Sequence, residues 1–187
     1  MFLHEYGVED YEITGGEPGE HKQLEEICKF IKQVNPSAKV AVITNGSIFI
    51  RDIFGIADEV LISYHLSKKS SNYDKCIFPN GCTWDKVSKT VTKARSNNMI
   101  VRTNTVLGTF NLSCIESIVD DIIELSPDIV NFLPVNLFEQ SYDMYKHIDY
   151  NMLRACLKLA IDKISIALPN VLVLVRYMPF CCMEGYE

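Results

Sequence analysis

Residues 14–18, Thr14-Gly15-Gly16-Glu17-Pro18, come directly after the alternating run Tyr11-Glu12-Ile13 and stand just before a stretch with helical spacing. Two adjacent glycines let a ligand approach the main chain closely and tolerate positive φ, which leaves their carbonyls and amides open as ligand groups. Glu17 beside them is a fixed anionic acceptor, suited to a ligand ammonium. A phosphate cradle does not fit, because no lysine directly follows the glycines and the acid would repel the anion. The same residues also suit a plain strand-to-helix turn, with the glycines there for geometry and Glu17 as a first-turn acid favoured by the helix dipole.

The elements that must position this turn are legible from apolar periodicity. Asp10–Thr14 reads as a short strand, and the stretch from Gly19 to Pro36 carries Leu24, Ile27, Cys28, Ile31 and Val34 at helical spacing until the proline ends it. Lys39–Ser47 is a continuous β-branched run closed by Asn45-Gly46, the pattern of a strand buried on both faces. A short helix over 48–54 and a strand over 58–65 come next, then a polar segment from Leu66 to Gly81 without a strong period. Helices near 83–97, 112–126 and 151–167 alternate with strands at 100–108, 128–136 and 171–178, the fifth strand being separated from its helix by a Tyr- and Asp-rich stretch. Such alternation implies right-handed βαβ crossovers and a mostly parallel sheet with helices outside, in one α/β domain over 1–187. Periodicity alone leaves an open sheet and a barrel equally possible.

In parallel α/β folds, ligands bind at the carboxyl ends of strands. Those ends present Thr14 to Pro18, Thr44-Asn45-Gly46, Ser63 with His65, Asn104 with Thr105, Leu133-Pro134, and Tyr177 to Cys182. Each has a bland alternative: Ser63 can simply finish a strand, Asn104 satisfy a loop amide and Leu133 fill core. His65 could give a proton or touch a substrate, but a lone histidine at a strand end is more often a satisfied polar group. Lys75 is a candidate for a ligand carboxylate, but a lysine in such a loop is more often a solvated surface charge. Arg176 and Tyr177 are candidates for facing a substrate.

The string Ile13-Thr-Gly-Gly-Glu-Pro18, at a strand end and before a helix, resembles the radical S-adenosylmethionine superfamily. Three later segments are similar in order and spacing: Val42-Ile-Thr-Asn-Gly-Ser47 resembles its third strand, Ile62-Ser-Tyr-His65 its fourth and Val101 to Gly108 its fifth. The resemblance covers about Tyr11 to Asn136. It implies a partial (βα)6 barrel in which Gly15, Gly16 and Glu17 hold the amino group of S-adenosylmethionine, with Thr14 and Pro18 framing them. It further implies Ser63 toward the carboxylate or ribose, Asn104 toward the carboxylate and Leu133 against adenine. The family's activity is reductive cleavage of that cofactor at a [4Fe-4S] cluster to give a 5'-deoxyadenosyl radical, with a flavodoxin or ferredoxin as electron donor.

One family feature is missing. The cluster is held by a C-x3-C-x2-C segment upstream of the glycine turn, and no such spacing occurs in these 187 residues. The expectation is therefore a piece of a longer enzyme, beginning after the first strand and cluster loop and continuing past Glu187, inactive by itself. Two rivals stay open: a cluster-free module that binds a small cationic or zwitterionic ligand on the same strand ends, and an unrelated α/β-barrel lyase or isomerase. The last is disfavoured by strand ends that offer neither paired carboxylates nor an apolar-flanked lysine.

Composition narrows the classes. With 187 residues and 48% hydrophobic content there is material for one ordinary core. A formal net charge of −6 provides no overall basic field for nucleic acid. No apolar run nears the roughly 20 residues that span a bilayer, and the first residues lack a secretory pattern, so a cytoplasmic location is expected. The seven cysteines, at 28, 76, 82, 114, 156, 181 and 182, are scattered and form no C-x2-C pair. They read as core residues or free thiols rather than disulfides or metal ligands. Neighbouring strand residues face opposite ways, so Cys181 and Cys182 do not reach one metal from a regular strand.

Overall fold

The structure is a computed structural model that describes residues 6–51, 53–69, 84–135, 148–178, 183 and 185–186. Among the described residues six strands, β1 (Asp10–Ile13), β2 (Lys39–Thr44), β3 (Glu59–Ser63), β4 (Ile100–Leu107), β5 (Ile129–Pro134) and β6 (Leu172–Val175), form one parallel sheet in chain order without a pairing of β1 to β6. Among the described residues four α-helices alternate with them: α1 (Leu24–Val34), α2 (Trp84–Ser96), α3 (Ile115–Leu125) and α4 (Tyr150–Ala167). This is the α/β arrangement of parallel strands and alternating helices that the sequence implies. Packing divides the chain into two compact units, Met1–Ser63 with Tyr73–Arg102, and Tyr64–Asn72 with Thr103–Glu187.

In the first unit β1 pairs with β2 and β2 with β3, all parallel, in a register that sets Glu12, Ala41 and Glu59 side by side. The opposite parity buries Val40, Val42, Val60 and Ile62 completely. Each such side chain contributes about 1.5–3 kcal/mol relative to exposure. Helix α1 buries Leu24 and Cys28, and α2 buries Val87, Thr90, Val91 and Ala94, the i, i+3, i+4, i+7 face of an amphipathic helix. Lys32 at the end of α1 bonds the Ala38 carbonyl at 2.6 Å and Asp58 Oδ1 at 2.8 Å, while Asp58 Oδ2 accepts the Val40 amide at 2.7 Å. One ion pair thus ties the helix end to the start of β2. Arg102 Nη1 lies 2.6 Å from Glu59 and 3.8 Å from Glu12. Burial pushes the Glu59 carboxyl above its ordinary range, and the Arg102 charge pulls against that shift. These two carboxylates share an arginine toward the start of β3, away from the strand ends where a catalytic pair would stand.

Two boundaries differ from the periodic reading. Helix α1 starts at Leu24 rather than Gly19, because Pro18–Glu20 forms a separate 3-10 turn. The helix expected over 48–54 is absent from its described residues; the backbone only turns at Ile53, whose carbonyl accepts the Ile56 and Ala57 amides at 3.0 Å each. That segment is apolar and β-branched, and tertiary burial of Ile50 and Ile53 outweighs a weak helical preference.

In the second unit β5 pairs in parallel with β6, Asn131 opposite Leu174. Helix α3 comes after a 3-10 turn at Leu112–Cys114, buries Ile115, Ile118, Val119 and Ile122, and ends on Ser126 in the left-handed region at φ 51°. Helix α4 is opened by Asp149, whose carboxylate accepts the Asn151 amide at 2.8 Å. It buries Leu153, Leu157, Ala160 and Ile164. Among the described residues no helix is long and apolar enough to cross a membrane.

Candidate functional site

Glu17 is buried at 9% exposure although two exposed glycines precede it. Its Oε1 accepts the Thr44 hydroxyl at 2.7 Å and the Gly19 amide at 3.2 Å, and its Oε2 accepts the Asn45 amide at 2.9 Å. Thr44 Oγ1 in turn accepts the Gly46 amide at 3.0 Å, and Asn45 Oδ1 the Ser47 amide at 2.7 Å. The carboxylate therefore caps the Pro18–Glu20 turn and staples the end of β1 to the end of β2. Glu17 is the cap of a three-residue 3-10 turn and not an acid in the first turn of α1, which begins at Leu24, and its carboxylate is fixed by protein donors. An ionised carboxylate has about four acceptor positions; three are occupied by protein donors, which leaves one on Oε2.

Gly15 has φ +156°, and a Cβ at Gly15 or Gly16 would meet no protein atom within 4 Å among the described residues. Neither glycine's amide or carbonyl takes part in a backbone hydrogen bond among those residues. Four main-chain polar groups are thus presented beside a clamped anion. Pro18 is buried at the first position of the 3-10 turn, and Thr14 is exposed. Gly19 was not singled out by sequence, yet a Cβ there would stand 3.0 Å from Ile48 and from Ile50, so its smallness lets the turn pack on the loop after β2.

Ser63, the last residue of β3, is half-buried and shares a strand face with Leu61 and Glu59. Its hydroxyl has no partner among the described residues.

In the second unit, Asn104 and Leu133 are half-buried on β4 and β5. Asn131 Nδ2 donates to Asn104 Oδ1 at 2.7 Å, and Asn131 is 1% exposed with its own Oδ1 lacking a partner among the described residues. Strand alternation places Leu133 on the face that Asn131 occupies. Asn131 was missed by sequence, although a lone amide inside the apolar run Ile129–Pro134 was a readable signal.

His65 is not poised as an acid. Its Nδ1 accepts the Val106 amide at 3.1 Å, and burial lowers its pKa from 6.5 to about 4, so the ring is neutral. The buried Asn111 completes this joint: its amide donates to the His65 carbonyl at 2.9 Å and the Val106 carbonyl at 2.8 Å, and its oxygen accepts the Gly108 amide at 2.9 Å. Asp121, 1% exposed, accepts the Tyr64 hydroxyl at 2.9 Å and the Lys68 amide at 2.8 Å, anchoring the chain just after β3. Arg176 is exposed with its amide on the Phe132 carbonyl at 3.0 Å, and Tyr177 is exposed in the left-handed region at φ 63°.

Lys75 and four cysteines, Cys76, Cys82, Cys181 and Cys182, lie outside the described residues. Cys28 is fully buried, and burial pushes its thiol up to about 11. Among the described residues no group of three His, Cys, Asp or Glu side chains converges to hold a metal ion.

No protein-family model and no curated protein sequence matches the chain. Solved structures match it in fold. SuiB from Streptococcus suis, bound to S-adenosylmethionine, aligns with 94% of the chain at a TM-score of 0.70 and 16% identity. The enzyme anSMEcpe, with bound AdoMet and a peptide, aligns with 88% of it at 0.65 and 14%. The radical S-adenosylmethionine methyltransferase TsrM from Kitasatospora setae, with cobalamin and a [4Fe-4S] cluster bound, aligns with 70% at 0.54 and 16%. The chain spans 41%, 49% and 28% of the lengths of these three proteins. At such identities the likeness is one of fold.

Proposed function

We propose that these residues are the cofactor-binding core of a radical S-adenosylmethionine enzyme. One observation carries the reading: main-chain groups of Gly15 and Gly16 without hydrogen-bond partners among the described residues stand beside a carboxylate held by three donors, at a strand end of this fold. The glycine carbonyls and the remaining Glu17 acceptor receive the cofactor's ammonium. Thr14 and Pro18 frame that turn. The Ser63 hydroxyl serves the carboxylate or ribose, the Asn104 amide, oriented by Asn131, serves the carboxylate, and Leu133 packs on adenine.

The residues present do not fit a [4Fe-4S] cluster, since the sequence lacks C-x3-C-x2-C and the described side chains converge on no metal. In this reading the thiolates would belong to a longer parent protein, for which a flavodoxin or ferredoxin would be the electron donor. Such a cluster would supply the one-electron chemistry for which this family uses S-adenosylmethionine. These residues contribute grip and orientation: three donors fix the acceptor before the ligand arrives, so little ordering cost falls on binding.

Calorimetric titration of the chain with S-adenosylmethionine tests the reading. Saturable binding is expected, weakened about tenfold by Gly16→Ala, which places a methyl where the ligand approaches and adds no clash with described residues. Absence of binding, or binding indifferent to Gly16→Ala, refutes it. The missing cysteine motif favours one second reading, a cluster-free module on the same strand ends. A longer parent that binds S-adenosylmethionine but, loaded with iron and sulfide and reduced, releases no 5'-deoxyadenosine would select that module.

A further inference from the structure

The first unit carries a concave surface that cofactor binding does not use. A hollow of about 420 Å³ runs along α2, with Phe49, Ser88, Lys89, Thr92 and Lys93 in its wall. A second hollow of about 250 Å³ is bordered by Lys22, Glu26, Ile50 and Arg51, and Phe49 lines both. The α2 residues recur at three- and four-residue spacing, so they form one helix face. Lys89 Nζ stands 4.8 Å over the Phe49 ring, which holds an ammonium at the wall shared by the hollows.

The charge of α2 is locally basic. Helix α2 carries Lys86, Lys89, Lys93 and Arg95 against a single acid, Asp85, in a chain whose formal net charge is −6. Lys86 is spent on the Ser47 carbonyl at 2.7 Å. Among the described residues no ion pair engages Lys89, Lys93 or Arg95. The apolar face of α2 is covered by core, so the basic stripe is a surface property and not a packing by-product.

We propose that this surface docks an extended acidic peptide segment, its carboxylates on Lys89 and Lys93 and its chain crossing Phe49 into the second hollow. Two hollows joined at one aromatic wall suit an extended ligand better than a compact metabolite. The acids Asp85, Glu25 and Glu26 in the same walls, Glu25 paired with Lys29, disfavour a nucleic acid, whose phosphates carry charge at every residue, whereas a peptide can set a neutral or cationic side chain against them. The inference is independent of the cofactor reading.

Fluorescence anisotropy with a short labelled peptide alternating glutamate and leucine tests it, beside its lysine counterpart and a single-stranded oligothymidylate. The acidic peptide is expected to bind saturably and more weakly as salt rises, and the lysine peptide not to bind. The Lys89→Glu/Lys93→Glu double variant should lower affinity about tenfold or more; both side chains are exposed, so circular dichroism should stay that of the parent. Phe49→Ala should weaken binding as well. Failure of the acidic peptide to bind, indifference to the double reversal, or equally tight binding of the oligothymidylate would each overturn the proposal.

Discussion

Replacing Glu17 separates two roles that one carboxylate holds. Glu17→Ala removes the acceptor for the Thr44 hydroxyl, the Asn45 amide and the Gly19 amide, at 2.7, 2.9 and 3.2 Å. Hydrogen bonds to a charged group are worth about 1.5–3 kcal/mol each, and donors left buried without partners add their own penalty. Thr44 is 2% exposed and Glu17 9%, so water relieves little of this. The three bonds share one acceptor and are not additive, which puts the expected loss at about 3–5 kcal/mol. Glu17→Gln keeps one acceptor oxygen but sets an amide NH2 against a donor, for a loss of about 1.5–3 kcal/mol. Urea denaturation monitored by circular dichroism reads both. With a slope of about 2 kcal/mol/M, the alanine variant's midpoint should fall by roughly 2 M. A fall of less than about 0.5 kcal/mol would refute the clamp, because it would mean the donors find other partners at no cost. Cofactor titrations on Glu17 variants therefore require this stability measurement, whereas Gly16→Ala tests the ligand approach with the clamp intact.

The remaining contacts make their own demands. Burial holds His65 at about 4 against an ordinary 6.5, so the unfolded chain takes up the proton first as pH falls. The His65 contribution is complete above pH 6.5 and is lost between pH 6.5 and 4, by about 3 kcal/mol; the difference in stability between wild type and His65→Asn across that window measures it, and a pH-independent difference would refute it. Gly19→Ala should destabilise by about 1–3 kcal/mol, since its methyl meets Ile48 and Ile50 at 3.0 Å, and thermal melts check this against an unchanged Gly16→Ala. Among the described cysteines, Cys28, with its thiol at about 11 and no exposed surface, should be alkylated after Cys114 and Cys156 in the native protein, as read by mass spectrometry of timed iodoacetamide digests.

The alternation of strands and helices was legible in the sequence because apolar period is a local property: Lys39–Thr44 and Ile129–Pro134 are short, largely apolar runs, which suit a strand buried on both faces. The glycine pair and its acid were legible for the same reason, since their chemistry comes from adjacency. Partnerships were not. Glu17 meets Thr44 at a separation of 27 positions, Asn131 meets Asn104 at an equal separation, and Asp121 meets Tyr64 at 57. Nothing in the spacing of such residues along the chain says which strand lies beside which. The protonation of His65 was equally hidden, because an imidazole's preference depends on the Val106 amide and on burial that the folded chain imposes. Local order sets which segments become strands and helices and which residues stand at their ends. Only parallel pairing in register, a long-range property of the folded backbone, decided which donors clamp Glu17 and which amide orients Asn104.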